Sequence, residues 1–162
     1  MIEQVFEFFS GAGEFWALFI VSMIPFIELR AAIPFGMLFL GMPWYEAFII
    51  SFLSNCVPIP FVILLARPII NWLKKTKMFS GFAHKFEAKM LAKSEKVTKY
   101  EIIGLFLFVA TPLPGTGAYS GSVIAALLGM RLNKAIPSIA AGVFVAGLIV
   151  TILSACGVMA FS

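Results

Sequence analysis

The sequence predicts an all-α integral membrane protein built from two inverted repeats, each a re-entrant helical hairpin plus one transmembrane helix. Three observations predict it. The 162 residues are 61% hydrophobic and only 12% charged, with a mean hydropathy of +1.01, whereas soluble domains are about 45–50% apolar and about 25% charged. Four apolar blocks reach membrane-scale length, and two of them are broken in the middle by proline and glycine. The second half of the chain also repeats residues of the first in the same order.

The blocks run over 15–41, 45–66, 102–130 and 134–160. A straight helix needs about 20 residues to cross the hydrocarbon core, and the second and fourth blocks fit that length. Block one carries Pro25, Glu28, Arg30 and Pro34. Block three carries Thr111-Pro112-Leu113-Pro114-Gly115-Thr116-Gly117. Proline removes a backbone donor and clashes with the preceding turn, so both blocks are expected to stop halfway and return. Irregular backbone at that depth is tolerated only where protein or a cavity surrounds it. A kinked spanning helix is the alternative for each.

The repeat appears on shifting the sequence. At an offset of 87, Glu14 meets Glu101, Leu18 meets Leu105, Phe19 meets Phe106 and Pro25 meets Pro112. At 88, Leu40-Gly41-Met42 meets Leu128-Gly129-Met130, and Ala47 meets Ala135. The offset changes at the breaks, where loops absorb insertions. The whole chain, 1–162, then reads as one membrane domain: repeat 1 over 1–66, a linker over 67–100 and repeat 2 over 101–162.

Charge orients the repeats. Residues 67–100 hold nine basic residues against Glu87 and Glu95, net +7, and the positive-inside rule assigns them to the cytoplasm. Hairpin 15–41 then enters and leaves from outside, and hairpin 102–130 from inside. That is the inverted arrangement common among secondary transporters. In the linker, Phe79, Phe82, Phe86 and Met90 recur at helical spacing among lysines, as in an amphipathic helix lying on anionic lipid. The first fourteen residues hold three glutamates and no base, unlike a cleavable signal. Orientation accounts for the basic charge, so nucleic acid is not an expected partner.

Glu28 and Arg30 are the sharpest chemical signal, because ionisable groups at membrane depth are expensive and generally face a partner or an aqueous cavity. In an unwound tip flanked by Pro25 and Pro34 they would converge on one cavity. A structural ion pair is the competing reading. The opposing tip offers hydroxyls and free backbone at Thr111, Gly115, Thr116 and Gly117, with Tyr119 and Ser120 just beyond, at the positive end of a half-helix. Pro112 and Pro114 make its break. Asn55 precedes Pro58 and Pro60 and either lines the cavity or caps backbone freed by those prolines. Gly117, Gly121, Ala125 and Gly129, with Ser138, Gly142 and Ala146, read as close-packing faces. Cys56 and Cys156 read as buried free thiols and His84 as solvated. No metal ligand set, cofactor motif or enzyme signature is present in the sequence.

Residues 25–36, Pro-Phe-Ile-Glu-Leu-Arg-Ala-Ala-Ile-Pro-Phe-Gly, paired with residues 110–122, Ala-Thr-Pro-Leu-Pro-Gly-Thr-Gly-Ala-Tyr-Ser-Gly-Ser, resemble the small multidrug export protein family over nearly the whole chain. That family is distantly similar to the DedA and VTT-domain membrane proteins. The resemblance implies paired inverted re-entrant hairpins and lipid handling, notably of polyprenyl-phosphate carriers, with acidic and Arg residues at the tips. By position those are Glu28 and Arg30; the second tip here carries no Arg.

The expected function is therefore a secondary transporter in the cell membrane that moves an anionic lipid carrier, driven by a proton or cation gradient. Arg30 would grip the head group and Glu28 would exchange a proton. The alternatives are proton-coupled export of small amphipathic cationic drugs, and a non-transporting scaffold or scramblase. Membrane lipids and a second copy of the chain are the expected partners.

Overall fold

The computed structural model describes the backbone of residues 2–25, 27–98, 100–113 and 115–161, and the side chains of 13–25, 27–94, 100–113 and 115–157. All regular structure among them is helical: α1 (Ile2–Met23), α2 (Glu28–Leu38), α3 (Trp44–Cys56), α4 (Pro58–Lys75), α5 (Ser80–Thr98), α6 (Glu101–Ala110), α7 (Ala118–Leu128) and α8 (Leu132–Phe161). The chain forms two compact units, residues 1–55 with 146–162, and residues 56–145. The division cuts both long apolar segments, beside Val57 and within α8.

Two helical stretches are long and apolar enough to cross a membrane: Trp44–Lys75, 32 residues, and Leu132–Gly157, 26 residues. Both extend beyond the expected bounds; the first runs nine residues past Ala66. Val57 is a turn residue, and Pro58 opens α4. Proline suits a first helical position because the N–H it lacks would have no partner there. The shorter helices α6 and α7, of 10 and 11 residues, rise only about 15 Å each, half of a hydrocarbon core about 30 Å thick.

In the first unit, Leu18 of α1, Ala32 of α2, and Ala47 and Ile50 of α3 make a core, flanked by Phe19, Val21 and Phe35. Gly36 sits where a Cβ would lie 3.0 Å from Leu18 Cδ2 and 3.1 Å from Ala47 Cβ. Three helices thus approach at one point, which only a residue without a side chain leaves open. The last stretch of α8 belongs here too: a Cβ on Gly147 would meet Phe48 and Leu29.

In the second unit, α6 and α7 pack on each other, and α5 packs on α4, α6 and α7. Leu105 and Val109 of α6, Ile124 and Ala125 of α7, and Ala135 and Ile139 of α8 are buried. A Cβ on Gly142 would lie 2.7 Å from Val109 Cβ and 2.9 Å from the Phe106 carbonyl oxygen, so α8 touches α6 almost backbone to backbone. Ser138 Oγ donates to the Ile102 carbonyl at 2.6 Å across the same seam. Several residues that align at the offsets of 87 and 88 have matching environments. Leu18 and Leu105 are both 0% exposed, as are Ala47 and Ala135, and Gly41 and Gly129 both adopt left-handed backbone, φ 65° and 69°.

Several sequence expectations are corrected. Pro34 does not end a break: it lies inside α2. The first interruption is confined to residues 24–27, so Glu28 and Arg30 stand in the first turn of a helix rather than in an unwound tip. Helix α1 reaches back to Ile2, well beyond the expected start at 15. The linker helix α5 packs on α4, α6 and α7. Among its described residues Ala83, Met90 and Ser94 are buried, whereas Phe79, just before it, and Phe82 are exposed. Met90 is shared by the buried face and the expected apolar stripe, while Phe79 and Phe82 of that stripe stay exposed. Cys156 is exposed rather than buried, and both thiols are free.

Candidate functional site

Among the predicted site residues, Glu28, Arg30 and Asn55, with Pro25 and Pro34, lie in the first unit. Thr111, Pro112, Gly115, Thr116, Gly117, Tyr119 and Ser120 lie in the second. Pro114 falls outside the described residues.

In the first unit Glu28 is buried, while Arg30 is half-buried and feels the Glu28 charge. Glu28 opens α2 with φ 49°, a left-handed conformation that costs an ordinary residue about 1–3 kcal/mol and tends to persist at functional positions. As the first-turn acid it also faces the positive end of the α2 dipole. Asn55 is fully buried, and neither its Oδ1 nor its Nδ2 has a hydrogen-bond partner. It therefore does not cap the backbone freed by Pro58 and Pro60.

In the second unit the break is longer, and side chains hold it. Thr111 Oγ1 donates to the Leu107 carbonyl at 2.7 Å, closing the end of α6. Thr116 Oγ1 lies 2.7 Å from the Thr111 carbonyl oxygen and 2.8 Å from that of Leu113, and its single proton serves either. The Leu113 amide donates to the Thr111 carbonyl at 2.8 Å. Gly115 turns the chain at φ 82°. Gly117 precedes α7 with no side-chain cap, leaving the first amides of that helix aimed out of its N-terminus.

The cation missing from the sequence of this break arrives from elsewhere. Lys93 of α5 donates from Nζ to the Gly115 carbonyl at 2.7 Å. Beside it opens a cavity of about 680 Å³. Lys89, Lys93, Thr111 and Thr116 line its polar side, and Ile103, Leu107, Phe108 and Leu113 are among its apolar walls. Binding cavities commonly span about 300–1,000 Å³ and combine an apolar lining with a few convergent polar groups. A second cavity of about 320 Å³ between α4, α5 and α7 has no polar lining atom. Tyr119 and Ser120, on the first turn of α7, do not line the larger cavity. Sequence reasoning missed Lys89 and Lys93. Their signal was the spacing of four, which puts both on one helix face, flanking the buried Met90.

The sequence profile described as "Putative small multi-drug export protein" matches residues 28–149, from Glu28 through the whole of the second break and into α8. The chain belongs to this family. With two helices fit to cross a bilayer, this export family places the protein in a membrane and in transport. No curated protein and no solved structure matches the chain.

Proposed function

We propose that this export-family protein moves an amphipathic anion, with an alkyl or polyprenyl phosphate as the substrate class. The carrying observation is the cavity at the second break, where Lys89 and Lys93 stand at one side of an apolar chamber. A phosphate head would displace the Gly115 carbonyl from Lys93, exchanging a neutral acceptor for a charged one and adding ion-pair attraction to a bond that is already charge-assisted. Lys89 and Lys93 would supply the donors, since the Thr111 and Thr116 hydroxyl protons are held by backbone carbonyls, and the acyl or prenyl chain would lie along Ile103, Leu107 and Phe108. Glu28 and Arg30 would supply the gradient coupling in the other unit, where the buried acid beside a neighbouring base can take up a proton or a cation.

The inverted-repeat reading supports transport as a mechanism. Each half runs in the order arm, 11-residue arm, long apolar helix, and matched positions share burial and backbone conformation. A second reading, export of amphipathic cations, draws on the family description and on the buried carboxylate of Glu28.

One binding experiment separates them. Dodecyl phosphate and dodecyltrimethylammonium are titrated against the purified protein in a neutral detergent. The anionic reading expects tighter binding of the phosphate, weakened about tenfold by Lys93→Gln, a loss of about 1.4 kcal/mol. Tighter binding of the ammonium, lost in Glu28→Gln and unaffected by Lys93→Gln, would favour the cationic reading.

A further inference from the structure

Three polar side chains in the first unit have no exposed surface and no partner: Ser22 of α1 and Ser51 and Asn55 of α3. A buried donor or acceptor left unmade is strongly unfavourable, so such groups imply something that satisfies them. Register brings them to one end of the helices. Leu18 and Ala47 both approach Gly36. Ser22 follows Leu18 by one turn on the same face of α1, and Ser51 and Asn55 follow Ala47 by one and two turns on α3. Helix α2 joins its neighbours through residues 24–27 and 39–43, and such short connections make it antiparallel to both. Its first residue, the buried Glu28, therefore belongs to the same end as Ser22 and Asn55. The carbonyl end of α1, negative by its dipole, closes there as well.

We propose that Ser22, Ser51, Asn55 and Glu28 form a binding site for a monovalent alkali cation. The donor set is hydroxyl, carboxamide and a single carboxylate, hard oxygens that suit an alkali or alkaline-earth ion. One carboxylate is too little charge for the usual divalent site, and no cluster of three or more His, Cys, Asp or Glu exists among the described residues. Hydroxyls and amides would serve an anion equally well. The sign is decided by the carboxylate of Glu28, which is more buried than Arg30, with the carbonyl end of α1 offsetting the amide end of α2. Broken helices in transporters hold coupling cations in this way, with carbonyl ends and side-chain oxygens. The site stands on the first unit alone and does not depend on what the second unit binds.

The test uses the full-length protein in a neutral detergent, with its thermal midpoint measured in NaCl, KCl and choline chloride at matched ionic strength. Equilibrium binding of radioactive sodium is measured alongside. The expected result is a higher midpoint in NaCl or KCl than in choline chloride, with saturable binding. Asn55→Leu and Ser51→Ala should weaken binding at least tenfold and erase the salt difference. Asn55→Leu removes both unmade groups, so it should remain folded, and Ser22→Ala provides a second, smaller perturbation. Equal midpoints in all three salts, as a buried water would give, would overturn the proposal. So would unaltered sodium binding in Asn55→Leu, or a midpoint that follows the anion when chloride is replaced by gluconate.

Discussion

The two interruptions of this chain solve one problem in different ways. The first spans only residues 24–27 and keeps its charges beside it, on the opening turn of α2. The second spans residues 111–117, has no charged residue of its own, and is laced by threonine hydroxyls. Its cation comes from Lys93, 22 positions before Gly115. A short break with its own acid and base suits a site that exchanges a small ion. A longer break beside a chamber of about 680 Å³ suits a site that takes a head group with a chain attached. The two breaks are therefore made unlike by α5, which lends its cation to the second alone.

The strongest way to break this comparison is to reverse the borrowed charge. Lys93→Glu sets a carboxylate against the proposed phosphate and should weaken dodecyl phosphate binding about a hundredfold, or about 2.7 kcal/mol. The same titration with Arg30→Glu should change affinity less than twofold, because Arg30 belongs to the other break. Equal losses in the two variants would erase the distinction.

Gly115→Ala is next in size. Its Cβ would sit 2.8 Å from Lys93 Nζ on backbone at φ 82°, so the lysine must move. Dodecyl phosphate binding should fall about tenfold, and thermal unfolding should show a loss of about 1–2 kcal/mol from the left-handed backbone.

How much of this was legible in the sequence depends on how local the determinant is. Both interruptions were readable, since Pro25 and the Pro112 to Gly117 run act on their own turn. Pro34 misled, because a proline inside a helix kinks it as readily as it ends it, and packing of Ala32, Ile33 and Gly36 keeps α2 helical around it. Acid and base at 28 and 30 were visible as charges in an apolar run. Lys93 was not, because nine basic residues in one stretch look alike until tertiary packing selects one. Ser22 and Ser51 were invisible for the opposite reason: a serine in an apolar helix commonly bonds its own backbone, as Ser54 does at 3.1 Å to the Ser51 carbonyl.

Smaller perturbations sharpen the contrast. Thr116→Val removes the hydroxyl that ties residues 111 and 113 and should cost about 1 kcal/mol in chemical denaturation. Serine at the same position should recover most of it. Arg67 donates from Nη2 to the Leu127 carbonyl at 2.9 Å, at the end of α7. Arg67→Gln should cost only about 0.5 kcal/mol, the scale of a charge at a helix C-terminus, and should leave dodecyl phosphate affinity unchanged.

The claim that a cation from α5 completes the second break to hold an anionic amphiphile is tested most directly by photolabelling. An alkyl phosphate carrying a diazirine in its chain is irradiated with the protein in membranes, and the labelled peptides are mapped. Label on α6 and the loop that follows, at Leu107, Phe108 or Leu113, reduced in Lys93→Gln and displaced by dodecyl phosphate, is the predicted result. Label confined to α1–α3, or insensitive to Lys93, would contradict it.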